Sequence, residues 1–218
     1  MSEAGVTTRR HRAGPTPGDR RRARMLTALH RLLESQPFSE ISIVEVTRAA
    51  GVTRQAFYFY FPNKAAAVGE LLSQTYEGIF RLAPWFDRRD GDSLSQLRDG
   101  MDTAVRRWRE HAGLMAGVLD AAGADPEVRA LWQGWIEEFT ARAAGRITDD
   151  RAAGVAPGGG EAGTLARVLV GATFQAMEQD VRDLRAGVDP PPDVAAALFE
   201  VWRRAAYTGE PLPAPDAP

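Results

Sequence analysis

The chain has 218 residues, with 44% hydrophobic and 26% charged side chains and a formal net charge of −2 at pH 7. These values suit a globular protein of one large or two small domains. No run of 18 apolar residues is present and the basic N-terminus lacks the apolar centre of a signal peptide, so we expect a cytoplasmic protein without a membrane partner. Because the chain has no cysteine and only three scattered histidines, we expect no disulfide, no metal and no cofactor.

Charge is unevenly distributed along the chain. Residues 1–70 hold 11 basic and 6 acidic side chains, whereas residues 71–218 hold 16 basic and 23 acidic ones. An ordinary solvated surface accounts for this asymmetry. A basic segment that binds a polyanion, next to an acidic body, accounts for it equally well.

The first predicted elements are a disordered arm and a helix. Residues 1–18 are rich in arginine, glycine, proline and threonine and have no apolar periodicity, which is typical of a disordered basic arm. From Asp19 onward, apolar residues recur at helical spacing until Gln36-Pro37-Phe38 interrupts the pattern. The spacing therefore predicts a first helix between these two points.

Two short helices follow, separated by Gly51-Val52-Thr53. Ser42 begins the first of them, with Glu45 three residues later in the register of a capping box, and Gly51 suits a left-handed C-cap. Thr53 provides an N-cap for the second helix. Two short helices with this spacing predict a helix-turn-helix.

The aromatic run FYFYF, from Phe57 to Phe61, is compatible with a strand or a helix. β-Propensity alone favours a strand with all three phenylalanines on one face. As a helix begun at Thr53, the run places Phe57 and Phe61 on one face and pairs Arg54 with Tyr58 on another. We favour the helix because no partner strand is predicted nearby. We expect Phe57 and Phe61 to pack inward and the tyrosines to point outward.

The remaining segments are also predicted to be helical. A fourth helix follows Pro62 and ends near Pro84. Loops rich in glycine and proline separate further helices at about 94–109, 112–122, 126–151, 161–186 and 193–207. The predicted fold class is therefore all-α, with about nine helices.

The segment ISIVEVTRAAGVTRQAFYFYFPNKAAAVGELL closely resembles the N-terminal signature of TetR-type transcriptional regulators. In that family a polar or small residue opens the recognition helix after Gly-Val, an aromatic run ends in Phe, and a lysine follows three residues later. The matching positions here are Val52, Thr53, Tyr58, Phe61 and Lys64, and Lys64 is the only lysine of the chain. FYFYFPxK and a later LW…W helix are most similar to the ethionamide-resistance regulators of mycobacteria.

The resemblance implies a domain organisation and a function. It implies a helix-turn-helix DNA-binding domain at 19–66, an effector-binding and dimerisation domain at 67–209, and a proline-rich disordered tail at 210–218. It further implies a homodimer through the last two helices and a repressor that a small apolar effector releases from a palindromic operator in double-stranded DNA. The geometry of DNA half-sites supports a dimer. Two helix-turn-helix domains about 34–36 Å apart can bind both halves of a palindrome, whereas one short helix cannot.

For the predicted helix-turn-helix domain, the resemblance and side-chain chemistry together suggest contacts to DNA. Arg54 suits guanine, Gln55 suits adenine or a phosphate, and Tyr58 suits a thymine methyl group or a phosphate. The predicted phosphate contacts are Ser42, Thr53, Tyr60 and Lys64. Two alternatives stay open, namely that Arg54 binds only phosphate and that Tyr60 is a packing residue. The family often has glycine or proline at position 55 and threonine at 56, so Gln55 and Ala56 leave the base preference open.

For the C-terminal domain, we predict an apolar effector pocket between the fifth, seventh and eighth helices. Aromatic and aliphatic residues recur there at helical spacing, which a filled core explains as well, and the resemblance favours the pocket. The candidate lining residues are Leu97, Met101, Trp108, Met115, Leu119, Trp132, Trp135, Ile136, Phe139, Val170, Thr173, Phe174, Met177 and Trp202. Trp202 fits the dimer interface equally well.

Features typical of enzymes are weak in this sequence. Gly158, Gly160 and Gly163 match GxGxxG, but no predicted strand precedes them, as a nucleotide-binding unit requires. The acidic pair Asp149 and Asp150 is predicted to be solvated helix surface. We therefore expect no catalytic residue and no enzyme. Two other functions stay open, an activator on the same scaffold and a helical ligand-binding protein that no longer binds DNA.

Overall fold

The computed structural model describes residues 16–82, 84–87 and 91–208, with side chains for 16–74, 85–86 and 91–208. This part of the chain is all-α, as predicted. Its elements are α1 (Pro17–Ser35), α2 (Ile43–Ala50), α3 (Arg54–Tyr60), α4 (Lys64–Leu82), α5 (Pro84–Asp87), α6 (Ser93–Glu110), α7 (Ala112–Ala124), α8 (Pro126–Ala152), α9 (Ala162–Arg185), α10 (Val194–Trp202) and a final π-helical turn (Arg203–Thr208). The single turn α5 was not predicted. The predicted tail at 210–218 and the first fifteen residues of the predicted arm lie outside the described residues.

The first helix begins earlier than predicted. Thr16 is its N-cap: the hydroxyl of Thr16 accepts a hydrogen bond from the Asp19 backbone N–H, and the Asp19 carboxylate accepts one from the Thr16 N–H. Pro17 occupies the first helical position, where its missing N–H costs nothing. The predicted end of the arm at residue 18 is therefore wrong by two residues, because the capping box at Thr16 extends the helix toward the N-terminus.

The helix-turn-helix has the predicted caps. Ser42 and Glu45 form a reciprocal capping box at the start of α2, and Gly51 ends it with φ of 63°, in the left-handed region that favours glycine. The Thr53 hydroxyl accepts a hydrogen bond from the Ala56 N–H at the start of α3. Phe57 is fully buried and its ring centroid lies 5.4 Å from that of Phe61. The helical interpretation of FYFYF is therefore confirmed.

Close helix contacts join this N-terminal unit, which we call the head (α1–α3 and the first turn of α4), to the body (α5 to Thr208), and the rest of α4 connects the two. A Cβ atom on Gly117 of α7 would lie 2.8 Å from the Leu33 carbonyl oxygen of α1. A Cβ atom on Gly69 of α4 would lie 2.6 Å from Leu131 Cδ1 of α8. At Gly117 the neighbouring atom belongs to the backbone, so only glycine allows that crossing to be so tight, whereas at Gly69 the flexible end of Leu131 could give way. As a result, α1 and α4 pack directly on the body.

The body is a bundle in which α8 and α9, its two longest helices, pack against each other. The helices α6 and α10 close the bundle on one side, with the Arg98 guanidinium carbon 4.3 Å from the centre of the Phe199 ring. Arg109 of α6 binds the buried carboxylate of Asp180 in α9 at 2.7 Å. Among the described helices, none is long and apolar enough to cross a membrane.

Candidate nucleic-acid interface and apolar cavity

The exposed face of α3 carries four side chains, Arg54, Gln55, Tyr58 and Phe59. Arg54 Nη2 donates a hydrogen bond to the Tyr58 hydroxyl at 3.2 Å, and the guanidinium carbon lies 5.6 Å from the centre of the Tyr58 ring. The predicted pairing one helical turn apart is therefore present. Phe59 was not among the predicted contact residues, yet its ring projects into solvent beside them.

Ser42 and Thr53 already serve as caps. The Ser42 hydroxyl donates to Glu45 Oε2 at 2.7 Å and accepts from the Glu45 N–H at 3.2 Å. Hydrogen bonds donated by the Ser42 hydroxyl and by the Ser42 backbone N–H lower the pKa of the Glu45 carboxyl. A phosphate at Ser42 would therefore meet an ionised carboxylate, whereas the Thr53 hydroxyl has no anion in its cap. Of these two predicted phosphate contacts, Thr53 has the more favourable surroundings.

Tyr60 and Lys64 are each tied into the head more closely than their predicted roles suggest. Tyr60 is half-buried, and its hydroxyl would lie 3.1 Å from a Cβ atom on Gly18, in the first turn of α1. The expectation that both tyrosines point outward therefore holds only for Tyr58. The Lys64 ammonium donates to the carbonyl oxygens of Phe38 at 2.6 Å and Ile41 at 2.7 Å. Burial lowers the pKa of Lys64. This lysine thus fastens the α1–α2 loop to the start of α4, a role that sequence reasoning missed.

An apolar cavity of about 70 Å³ lies between α5, α6, α8, α9 and α10. It is lined by Trp85, Phe86, Leu97, Gly100, Met101, Ala104, Trp108, Phe139, Val170, Thr173, Phe174, Met177 and Trp202. Nine of the fourteen predicted pocket residues belong to this set. Trp202 is buried and donates a hydrogen bond from Nε1 to the Thr173 hydroxyl at 2.9 Å, so its side chain faces the cavity.

The other five predicted pocket residues lie elsewhere. Trp132 packs behind the cavity wall, with its ring centroid 6.0 Å from that of Trp108 and 5.6 Å from that of Phe174. Met115 is fully buried in the core, Leu119 and Ile136 pack half-buried against it, and Trp135 lines a surface groove between α4 and α8. A helical stripe of apolar residues spans more of the helix surface than one cavity covers, so spacing alone selects too many residues.

Two family models match this chain. Residues 25–71 match the model described as bacterial regulatory proteins of the tetR family, which spans the helix-turn-helix. Residues 97–208 match the C-terminal domain of the transcriptional regulator EthR, and this segment contains eleven of the thirteen cavity residues. The chain belongs to the TetR family of transcriptional regulators.

Individual relatives extend over nearly the whole TetR-family chain. It is 30% identical over 210 residues to the HTH-type transcriptional regulator EthR of Mycolicibacterium smegmatis, covering 94% of this chain and 95% of that one. It is 31% identical over 160 residues to EthR of Mycobacterium tuberculosis, covering 72% and 73%. These relatives are transcriptional regulators, and the chain is like them a transcriptional regulator with a helix-turn-helix.

Solved structures show the same fold at lower identity. NalD of Pseudomonas aeruginosa, the secondary repressor of the MexAB-OprM multidrug efflux pump, aligns with a TM-score of 0.68 and 23% identity, covering 88% of this chain and 98% of that one. The SmeT–triclosan complex aligns with a TM-score of 0.71 and 18% identity, covering 88% and 99%. At these identities the likeness establishes the fold alone.

Two cavity residues of this TetR-family protein, Trp85 and Phe86, lie outside both matched segments and were missed from the sequence. They belong to α5, the short element that follows α4. The Trp85 ring packs edge-on against Trp202 at 5.5 Å between centroids, and Phe86 packs against Phe139 at 5.6 Å. The wall of the cavity is thus formed in part by the connection between α4 and α6.

A buried polar network holds Trp85 in place. Arg146 is 1% exposed and binds the Asp150 carboxylate at 2.9 Å, the Trp85 carbonyl oxygen at 2.6 Å and the Ser93 hydroxyl. Tyr207 donates to Asp150 at 2.7 Å and accepts from Trp85 Nε1 at 3.0 Å. Burial, and then the hydrogen bond to Asp150, raise the pKa of Tyr207, so its phenol stays a neutral donor. The network joins α5, α6, α8 and the final turn.

The network corrects one expectation. Asp150 was predicted to be solvated helix surface, but it is 5% exposed and accepts hydrogen bonds from three residues. A signal was available in the sequence, because Arg146 and Asp150 are four residues apart on a face of α8 shared with Ala143 and Ile147, which are fully buried. Opposite charges on an apolar helix face indicate a buried pair.

Proposed function

We propose that this regulator is a repressor that binds a palindromic operator as a homodimer, and that a small apolar effector entering the cavity releases it. The observation that carries this proposal is the size of the cavity. A volume of about 70 Å³ compares with about 300–1,000 Å³ for sites that hold drug-sized ligands. An effector of that size must push the walls apart, so its binding is coupled to movement of the helices that form them.

One wall of the cavity is formed by α5, the helix through which movement would reach the DNA-binding domain. Trp85 lies in α5, directly after α4, and the first residue of α4, Lys64, is bound to the loop between α1 and α2. A displacement of Trp85 therefore acts on α4 without an intervening helix. Because coupling is reciprocal, operator DNA weakens effector binding by the factor by which the effector weakens DNA binding.

The chemistry of the lining supports an apolar effector. Nine of the thirteen lining residues are glycine, aliphatic residues, methionine or phenylalanine, and the other four are three tryptophans and Thr173. The polar atoms of Thr173, Trp202 and Trp85 already hydrogen-bond within the protein. A ligand with several polar groups would compete with these bonds for its partners. SmeT, which has the same fold, was solved in complex with triclosan.

Exposed aliphatic side chains support a dimer through α9 and α10. Val168 of α9 is 63% exposed and Val201 of α10 is 50% exposed. These residues lie on adjacent helices, and a partner that covered both helices would remove them from water.

Within each head we propose Arg54 and Gln55 as base-reading residues, because both are exposed on α3. The proposed phosphate contacts are Thr53, Tyr60 and Lys64, with Ser42 the weakest candidate.

The experiment that tests this function needs no knowledge of the effector. Gly100 lines the cavity, and a Cβ atom placed on it would have no neighbour within 4 Å, so a larger side chain meets no clash where it leaves the helix. The indole of Gly100→Trp is larger than the cavity, and where it enters the cavity it imitates a bound effector. We expect it to weaken binding to a duplex that the full-length protein selects from a random pool, by about 5–150-fold, the usual range of allosteric coupling. Binding is measured by fluorescence anisotropy.

Gly134→Trp is the matched control, because Gly134 is an exposed helical glycine of α8 where an added Cβ atom would have no neighbour within 4 Å. It makes the same substitution away from the cavity, and we expect unchanged DNA binding. A folded Gly100→Trp protein with wild-type DNA affinity, in which a crystal structure places the indole in the cavity, would show that filling the cavity does not release DNA, which contradicts the proposal.

A further inference from the structure

The recognition helix α3 holds one large apolar side chain in water. Phe59 is 81% exposed, the highest value among the large hydrophobic side chains that the structure describes. Its ring packs edge-on against Tyr60, with 5.0 Å between centroids, and this contact holds it at the helix surface. A large apolar side chain that is exposed on a helix used by the family for DNA binding indicates a binding surface.

Helix geometry places Phe59 on the outermost line of the head. Successive residues of an α-helix are rotated by about 100°, so Phe59 lies about 200° around the axis from the fully buried Phe57. Gln55 lies about 200° from Phe57 in the opposite direction around the axis, and it is one helical turn before Phe59. Gln55 and Phe59 thus form a ridge that points away from the core. Arg54 and Tyr58 occupy its flank and are bound to each other.

We propose that Phe59 determines operator sequence by packing against the C5 methyl group of a thymine, next to the base that Gln55 reads. The thymine methyl is the apolar group on the major-groove edges of the bases, and apolar side chains including phenylalanine contact it. This assignment rests on the proposed binding of operator DNA and deepens it. Tyr58 is less suited to the same methyl group, because its hydroxyl and ring are already engaged by Arg54.

The charge around the ridge favours DNA over an apolar protein partner. Arg54 flanks Phe59 on α3, and the exposed Arg48 lies in the last turn of α2. The Arg24 side chain of α1 reaches the turn between α2 and α3, where its Nη1 would lie 3.7 Å from a Cβ atom on Gly51. Basic side chains from α1, α2 and α3 thus lie in the same helix-turn-helix unit as this apolar ring, where they can bind the phosphates that flank a base.

The test combines substitutions in the protein and in the DNA. The full-length protein selects a duplex from a random pool, and each thymine of a half-site is replaced in turn by deoxyuridine, which lacks only the methyl group. We expect the wild-type protein to bind about fourfold more weakly at one thymine position per half-site, the factor that corresponds to burial of one methyl group. Phe59→Ala should bind more weakly overall and should not distinguish thymine from uracil at that position.

Val44→Ala is the matched control, since Val44 is an exposed apolar residue of α2 and is 53% exposed; it should keep the discrimination at that position. Because Phe59 packs outside the core, thermal unfolding should confirm that Phe59→Ala folds normally. The assignment is overturned if no replacement weakens wild-type binding. It is also overturned if Tyr58→Ala, rather than Phe59→Ala, loses the discrimination, or if Phe59→Ala weakens all duplexes equally and still discriminates. Recovery of no duplex from the pool would overturn operator binding itself and this assignment with it.

Discussion

The head and the body of this protein place their functional side chains in opposite environments. On the head, Arg54, Gln55 and Phe59 project into solvent from a seven-residue helix whose ends are fixed by local caps. In the body, the cavity residues are buried, and Trp85 is held by groups far away in the chain. Substitutions that alter the head's surface should therefore change binding without changing stability, whereas those near the cavity should change both.

The largest expected effect comes from the buried network of the body. Arg146→Ala leaves the Asp150 carboxylate buried without its cation, and breaking a buried pair in this way typically costs about 3–5 kcal/mol. We expect a loss of this size in the free energy of unfolding, measured by urea denaturation. Arg142→Ala is the control: its ion pair with Glu138 lies on the surface of the same helix and should contribute less than about 1 kcal/mol. Equal losses in the two variants would contradict a buried structural role for Arg146.

A smaller effect is expected where the head meets the body. Gly117→Ala places a methyl group 2.8 Å from the Leu33 carbonyl oxygen, so α1 and α7 must move apart. Overpacking of this kind usually costs about 1–3 kcal/mol. Gly123→Ala, on the same helix but with no neighbour within 4 Å of the new Cβ, should be neutral or stabilise the fold by up to about 1 kcal/mol. Thermal unfolding of both variants compares them directly, and a stable Gly117→Ala protein would show that the two helices are not held together at this crossing.

The smallest effect concerns a single charge on the head. The Lys64 ammonium donates to two carbonyl oxygens and lies 3.9 Å from the centre of the Phe38 ring, and we propose that its remaining N–H binds a phosphate. Lys64→Met should then reduce the slope of log affinity against log salt concentration by about 0.9. Arg167→Met removes the same charge from an exposed site on α9 and should leave the slope unchanged. An unchanged slope for Lys64→Met, with reduced stability, would limit Lys64 to its structural role.

The same contrast explains how much the sequence could predict. The caps of Ser42, Gly51 and Thr53 involve residues within a few positions of each other, so the helix-turn-helix follows from the sequence. The wall of the cavity depends on contacts such as Trp85 with Tyr207, 122 positions apart, and Trp85 with Arg146, 61 positions apart. Helical periodicity identifies which face of a helix is buried, but not which distant residue it meets.

Sequence spacing also gave incomplete or wrong predictions for particular residues of the head and the body. Lys64 matched the family signature, but its bonds to Phe38 and Ile41 span 26 and 23 positions and could not be inferred from spacing. Phe59 was missed because it lies within a run of five aromatic residues, and only the exposed fraction of each ring separates them. Trp132 and Trp135 were overpredicted because they share a helical stripe with Phe139, although of these three only Phe139 reaches the cavity.

In the release that we propose, the close crossing of α4 and α8 at Gly69 would make α4 a lever. From this crossing, at a rise of about 1.5 Å per residue, α4 extends about 7.5 Å toward Lys64 and about 19.5 Å toward Leu82. If α4 pivots there as a rigid rod, a displacement at Leu82 becomes one roughly 2.6 times smaller at Lys64. A movement of the cavity wall would then reach the DNA-binding domain reduced in distance and increased in force.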